Sequence, residues 1–143
     1  MSLAEPVLTA VQAALAAEHA AVYAYGVCGG VLAAGSAEGV RARDGYLVHQ
    51  RRRDRLQEDL RAEGVEPVAA LPGYGIPQPV TDAGSAARLA RLVEDACAAA
   101  YVELVRRATG PIRRMAVDSL TRAATRGLDW GANPVAFPGL QQP

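Results

Sequence analysis

The chain has 143 residues and carries fifteen basic against fifteen acidic side chains, so it has no net charge. That length suits one domain with a real core, and the charge balance gives no bulk electrostatic hold on nucleic acid or an acidic membrane. Thirty residues are Ala, every basic residue is Arg, and the aromatic residues are one Phe, one Trp and five Tyr; good helix formers abound and strand formers are scarce, which points to an all-α domain.

Punctuation along the chain sets out four helical segments. The first is expected from about Pro6, a good first-turn residue, to about Ala33, where Gly35 can end it. After the tight Gly35-Ser36-Ala37-Glu38-Gly39 connection, the second runs from about Val40 to Glu63 and stops at Gly64. The stretch from Val65 to Gly84 contains Pro67, Pro72, Pro77 and Pro79 with Gly73 and Gly75, and cannot be helix or central strand. The third segment runs from near Ser85 to near Ala108. Thr109-Gly110-Pro111 breaks the chain, and Pro111 opens the fourth, which reaches about Trp130. A four-helix body over residues 1–130 is thus followed by an irregular tail, 131–143, which is expected to pack on the bundle or on a partner subunit.

The links read short, long, short. Short links make antiparallel hairpins, whereas a twenty-residue link inside a compact domain is unusual. One architecture requires it: the ferritin-like four-helix bundle, with a single long crossover between the second and third helices. Helices of this size are roughly 30–42 Å long, a span an extended link of that length can cover.

No window offers the ~18 uncharged apolar residues of a membrane span. The longest candidate, around Ala10 to Ala34, is interrupted by Glu18 and His19. MSLAEPVL lacks a basic stretch ahead of an apolar one, so no secretory signal is read there. Cys28 and Cys97 have no CxxC spacing. The expectation is a cytoplasmic chain with reduced thiols and no membrane partner. In the antiparallel arrangement the two cysteines fall about 18 Å apart along the bundle, beyond disulfide reach.

The first helix has a 3–4 spaced stripe of Leu8, Val11, Leu15, Glu18, Val22, Tyr25, Gly29 and Leu32. Glu18 therefore faces the interior, where a carboxylate is costly unless paired, protonated or bound to a metal. In the second helix the stripe through Leu56 and Leu60 runs back through His49 and Tyr46. In the third, Glu94 lies beside Ala90, Cys97, Tyr101 and Leu104. Glu18, His49 and Glu94 fall at the same level, near mid-bundle.

Ala14 to Gly26, the run ALAAEHAAVYAYG, resembles a bacterial ferritin-like family catalogued only as a domain of unknown function. So do His49 with Arg51-Arg52-Arg53-Asp54 and the terminal Ala136-Phe137-Pro138-Gly139-Leu140. The resemblance covers nearly the whole chain and implies the ferritin-like fold, with no established activity. Ferritin-like metal centres use a Glu from each of two helices and Glu-x-x-His from each of the other two. Glu18, Glu94 and His49 match three of these ligands. Tyr46 stands where the second helix should supply Glu, however, and the fourth helix has no His, its Asp118 lying off the stripe.

A full di-iron site cannot be assembled from this chain, and no catalytic or organic-cofactor residue is assigned. Two readings of the mid-bundle trio follow. In one, it is a buried hydrogen-bonded cluster completed by Tyr46 or an Arg. In the other, Glu18, His49 and Glu94 hold one Fe, Mn or Zn ion in a metal-binding protein or metal-dependent oxidoreductase. His19 is a flank residue or hydrogen-bond donor. Arg51 to Arg55 read as a solvated helix face paired with Glu58 and Asp59; without interleaved aromatics they do not read as a nucleic-acid site. Gly26, Gly29 and Gly30 suggest close approach of another helix. Tyr23, Tyr25, Tyr46 and Tyr101 are expected as core or interface aromatics. Trp130, Val135, Phe137 and Leu140 should anchor the tail, and a homodimer is expected through an Ala-rich helix face.

Overall fold

The computed structural model describes residues 2–142; Met1 and Pro143, the outer ends of the expected body and tail, lie outside the described residues. Four helices account for the ordered elements: α1 (Glu5–Val31), α2 (Ala37–Ala62), α3 (Ala83–Arg107) and α4 (Gly110–Asp129). No strand occurs among the described residues.

The helix starts follow from local hydrogen bonding. α2 begins three residues before the expected Val40 because Ser36 caps it, accepting from the Gly39 N–H at 3.0 Å. Its hydroxyl also donates to the Ala33 carbonyl at 2.7 Å, which closes the α1–α2 turn. α3 opens at Ala83 under a capping box: Asp82 accepts from the Ser85 N–H at 2.7 Å while Ser85 Oγ accepts from the Asp82 N–H at 3.0 Å.

Side-chain pairs fix how the helices lie against one another. Glu18 meets Tyr101 and Tyr25 meets Glu94, so α1 and α3 run antiparallel. Glu18 meets His49, and Tyr25 lies against Gly45, so α1 and α2 do the same. Arg91 reaches the Trp130 carbonyl while Arg126 reaches Glu94, which makes α3 and α4 antiparallel too. Extensive packing joins α1 to α2, α1 to α3 and α3 to α4, while α2 and α4 scarcely meet. The core between them is built mostly from small residues, Ala14, Ala21, Ala86, Ala90, Ala116 and Ala123 among them, with Leu15, Leu56, Leu60 and Leu104 as the larger fillers.

The link over residues 63–82 lies as a strap along the outer side of α1. Gln12 grips it twice, donating to the Glu66 carbonyl at 2.7 Å and accepting from the Val68 N–H at 2.8 Å. Two turns on, His19 Nε2 donates to the Val68 carbonyl at 2.9 Å, and Tyr23 packs against Tyr74. His19 is thus the hydrogen-bond donor expected, and it serves the strap. By length and composition α1 is long and apolar enough to cross a membrane, although half of its most apolar eighteen-residue window is buried inside the bundle.

Two packing expectations change. A side chain added at Gly29 or Gly30 would meet nothing within 4 Å, and one at Gly26 only the edge of Tyr46 at 3.9 Å. No helix approaches closely there. The close approach is at Gly45, where a Cβ would lie 2.3 Å from the buried Tyr25 ring. In the tail Trp130 is buried, but Val135, Phe137 and Leu140 remain exposed. The anchor beyond Trp130 is Gly139, whose left-handed backbone (φ 79°) seats it so close to α3 that a Cβ would lie 2.6 Å from the Ala98 carbonyl. The thiols of Cys28 and Cys97 are both free and buried; they face the carbonyls of Ala86 and Ala17 respectively, at separate levels of the α1–α3 interface.

Gly45→Ala is expected to overpack the α1–α2 contact and to lower unfolding free energy by about 1–3 kcal/mol, read as a fall in the urea midpoint at unchanged slope. A wild-type midpoint would refute the contact.

Candidate functional site: a histidine between two carboxylates

Glu18, His49 and Glu94 come together from α1, α2 and α3, each with essentially no exposed surface. His49 lies between the two acids: Nδ1 is 2.5 Å from Glu18 Oε2 and Nε2 is 3.0 Å from Glu94 Oε1. A carboxylate only accepts, so both ring nitrogens donating at once makes the ring an imidazolium. Burial pushes the His49 pKa down, but the hydrogen bonds and negative charges of Glu18 and Glu94 outweigh it and hold the pKa above its ordinary 6.5. Burial likewise pushes Glu94 up, yet the hydrogen bond and charge of His49, helped by Tyr25 and Arg126, hold it below its ordinary 4.5.

Each carboxylate has a tyrosine donor and an arginine beside it, but only Glu18 is bonded at both oxygens; Glu94 Oε2 is buried without a hydrogen-bond partner. The Tyr101 hydroxyl donates to Glu18 Oε1 and the Tyr25 hydroxyl to Glu94 Oε1, both at 2.6 Å. Arg52 Nη1 stands 4.0 Å from Glu18 Oε1 and Arg126 Nη1 3.5 Å from Glu94 Oε1. Burial, with the charge of the adjacent Glu, raises the pKa of both phenols and keeps them protonated as donors. Tyr25 in turn accepts from Trp130 Nε1 at 2.9 Å, which ties the start of the tail to the centre, and Arg41 lies over the indole.

The sequence placed the trio at one level, but missed what surrounds it. Tyr46, offered there as a completing group, lies beside Gly26; Tyr25 and Tyr101 fill that role. A signal was available. Tyr25 stands seven residues after Glu18 and Tyr101 seven after Glu94, two turns along one helix face. In antiparallel helices that repeated spacing brings each Tyr to the other helix's Glu. Arg52 also departs from the solvated face: Arg53 and Arg55 pair at the surface with Asp54 and Asp59, while Arg52 turns inward over the Tyr101 ring. Asp118 pairs with Arg122 on the exposed side of α4.

The donor set does not suit a two-metal centre. Tyr46 occupies the place of a bridging carboxylate, three residues before His49. α4 contributes a guanidinium, Arg126, to Glu94 instead of a ligand. A smaller group does have metal-ligand character: one ligand atom each from Glu18, His49 and Cys97 lie within 4.8 Å of one another, all buried.

Fold and site together define an all-helical four-helix protein built around a buried carboxylate–histidine–carboxylate centre. The chain belongs to the family described as a domain of unknown function (DUF4439), which matches residues 10–142. A solved crystal structure of a conserved hypothetical protein from Mycobacterium tuberculosis is similar to it, with 34% sequence identity and a TM-score of 0.83, over 90% of this chain and 97% of that one. No curated protein matches the chain.

The raised His49 pKa makes a pH signature. Its contribution to stability is fully present below the unfolded value of 6.5 and is lost as pH rises through the higher folded value. The lowered Glu94 pKa acts oppositely, contributing above 4.5 and failing as pH falls through its folded value. Wild-type unfolding free energy should therefore decline as pH rises above 6.5. His49→Gln should cost about 3 kcal/mol or more near pH 6 by leaving two buried carboxylates short of counter-charge, and should flatten that decline. A decline of equal size in the variant would show that His49 is not its source.

Proposed function

We propose that this protein is a ferritin-like four-helix bundle, with its long crossover between α2 and α3, in which a charge-paired histidine stands in place of the superfamily's two-metal centre. What supports the topology is the antiparallel pairing of α1 with α2, α1 with α3 and α3 with α4, combined with the twenty-residue strap. What supports the reading of the centre is that both nitrogens of His49 are taken by carboxylates. With no di-metal oxidation chemistry, the role that remains is non-catalytic: a rigid helical body that offers its surfaces to partners. Residues 1–130 form that body in this reading, and residues 131–143 a tail lying against it.

One partner surface is a second copy of the chain. α3 leaves Leu92, Ala96 and Ala99 exposed in a row at helical spacing, an Ala-rich apolar face without a partner in the monomer. A second reading, one divalent ion of Fe, Mn or Zn at Glu18, His49 and Glu94, draws on the meeting of three ligand side chains at one buried level, and is weakened by the two acids standing at opposite ring nitrogens.

Two measurements test these readings. Aerobic addition of Fe(II) at two equivalents per chain should give no protein-dependent burst of iron oxidation; a burst abolished by Glu18→Gln would overturn the non-catalytic reading. Light scattering should give twice the 14.9 kDa chain mass, returning toward one chain mass in Leu92→Glu. A monomer at high concentration would refute pairing.

A further inference from the structure

We propose that the Glu18 side of His49 is a site for one thiophilic divalent ion of the zinc class, with Glu18, His49 and Cys97 as its ligands. The inference rests on the single-histidine centre proposed above and changes its ligand set. Glu94 approaches Nε2, the ring nitrogen opposite the one facing Glu18. An ion bound to Nδ1 at about 2.0–2.1 Å has the whole imidazole between itself and Glu94, so these two acids cannot share it. Cys97 can. It stands on α3 between Glu94 and Tyr101, one turn from each, and its thiol lies in the group of three ligand atoms no more than 4.8 Å apart.

The surrounding hydrogen bonds are those a bound ion requires. Glu94 accepts from Nε2–H, which fixes the tautomer that leaves Nδ1 free to ligate. The Tyr101 hydroxyl holds Glu18 Oε1, which leaves Oε2 as the ligand oxygen. Glu94 and Tyr101 are thus positioning residues, acting through His49 and Glu18. Three ligands of N, O and S type from three helices suit a zinc-class ion. Binding exchanges the ion for the proton on Nδ1 and the proton on the Cys97 thiol; both leave to solvent, and nothing is oxidised or reduced. The doubly charged ion and its two anionic ligands then balance. A two-metal centre is not restored, because among the described residues the ligand group holds no carboxylate besides Glu18.

Cobalt(II) reports the assignment directly, because thiolate ligation adds a sulfur-to-metal charge-transfer band in the near ultraviolet. The full chain, stripped with a chelator, should bind one equivalent of Co(II) with that band and with the visible absorption of a tetrahedral ion. Cys97→Ser should remove the band with helicity by circular dichroism unchanged, and Cys28→Ser should keep it. Glu94→Gln should weaken binding about 10- to 100-fold and retain the band. Absence of binding, one equivalent bound without the band, or a band surviving in Cys97→Ser each overturn the proposal and leave the charge-paired centre standing. Two equivalents bound per chain would overturn that centre as well.

Discussion

Everything at mid-bundle depends on one imidazole held between two carboxylates, with two tyrosines and two arginines about them, in a core otherwise built mostly of small apolar side chains. Removing Glu18, His49 and Glu94 from water is costly for each, and pairing within hydrogen-bond reach is what makes their burial tolerable. The three come from three helices, so the pairing also sets the register of α1, α2 and α3. A helix sliding by one turn, about 5.4 Å, would separate the charges and leave each alone in an alanine-lined interior.

The two tyrosines make this register reciprocal. Glu18 and Tyr25 on α1 face Tyr101 and Glu94 on α3, so the same seven-residue spacing is read twice in opposite directions. Tyr25 occupies its place only because Gly45 carries no side chain, and Trp130 then closes the hydroxyl from the other side. The Ala-rich composition fits this plan. Small side chains let the helices come close, and the few large polar residues meet at one level.

Much of the architecture was legible in the sequence because glycine, proline and alanine act locally. The four segments, the proline-rich link and the level of Glu18, His49 and Glu94 all came from punctuation and helical period. What escaped depends on longer reach. Arg52 is one residue from a solvated neighbour, yet its long side chain bends inward, which no face assignment at ~100° per residue can show. Cys97 reads as an ordinary core thiol until the antiparallel register of α1 and α3 carries it toward Glu18. Gly29 and Gly30 look like a contact site and face open space. The tail's apolar residues look like anchors, whereas Gly139 is held through its backbone, and hydrophobicity carries no trace of that.

The weak meeting of α2 with α4 has a consequence for how the molecule breathes. Packing follows the order α2, α1, α3, α4, as a folded row and not a closed ring. α1 and α3 each lie in two extensive interfaces, while α2 and α4 each have one. Local opening should therefore cost least along the seam between the outer pair, and a departing α2 would draw His49 from between Glu18 and Glu94. Arg52 and Arg126 come from those two outer helices, and Arg52 Nη1 and Nη2 and Arg126 Nη1 have no hydrogen-bond partner. The positive charges that help to hold the acids are thus carried by the elements freest to move away.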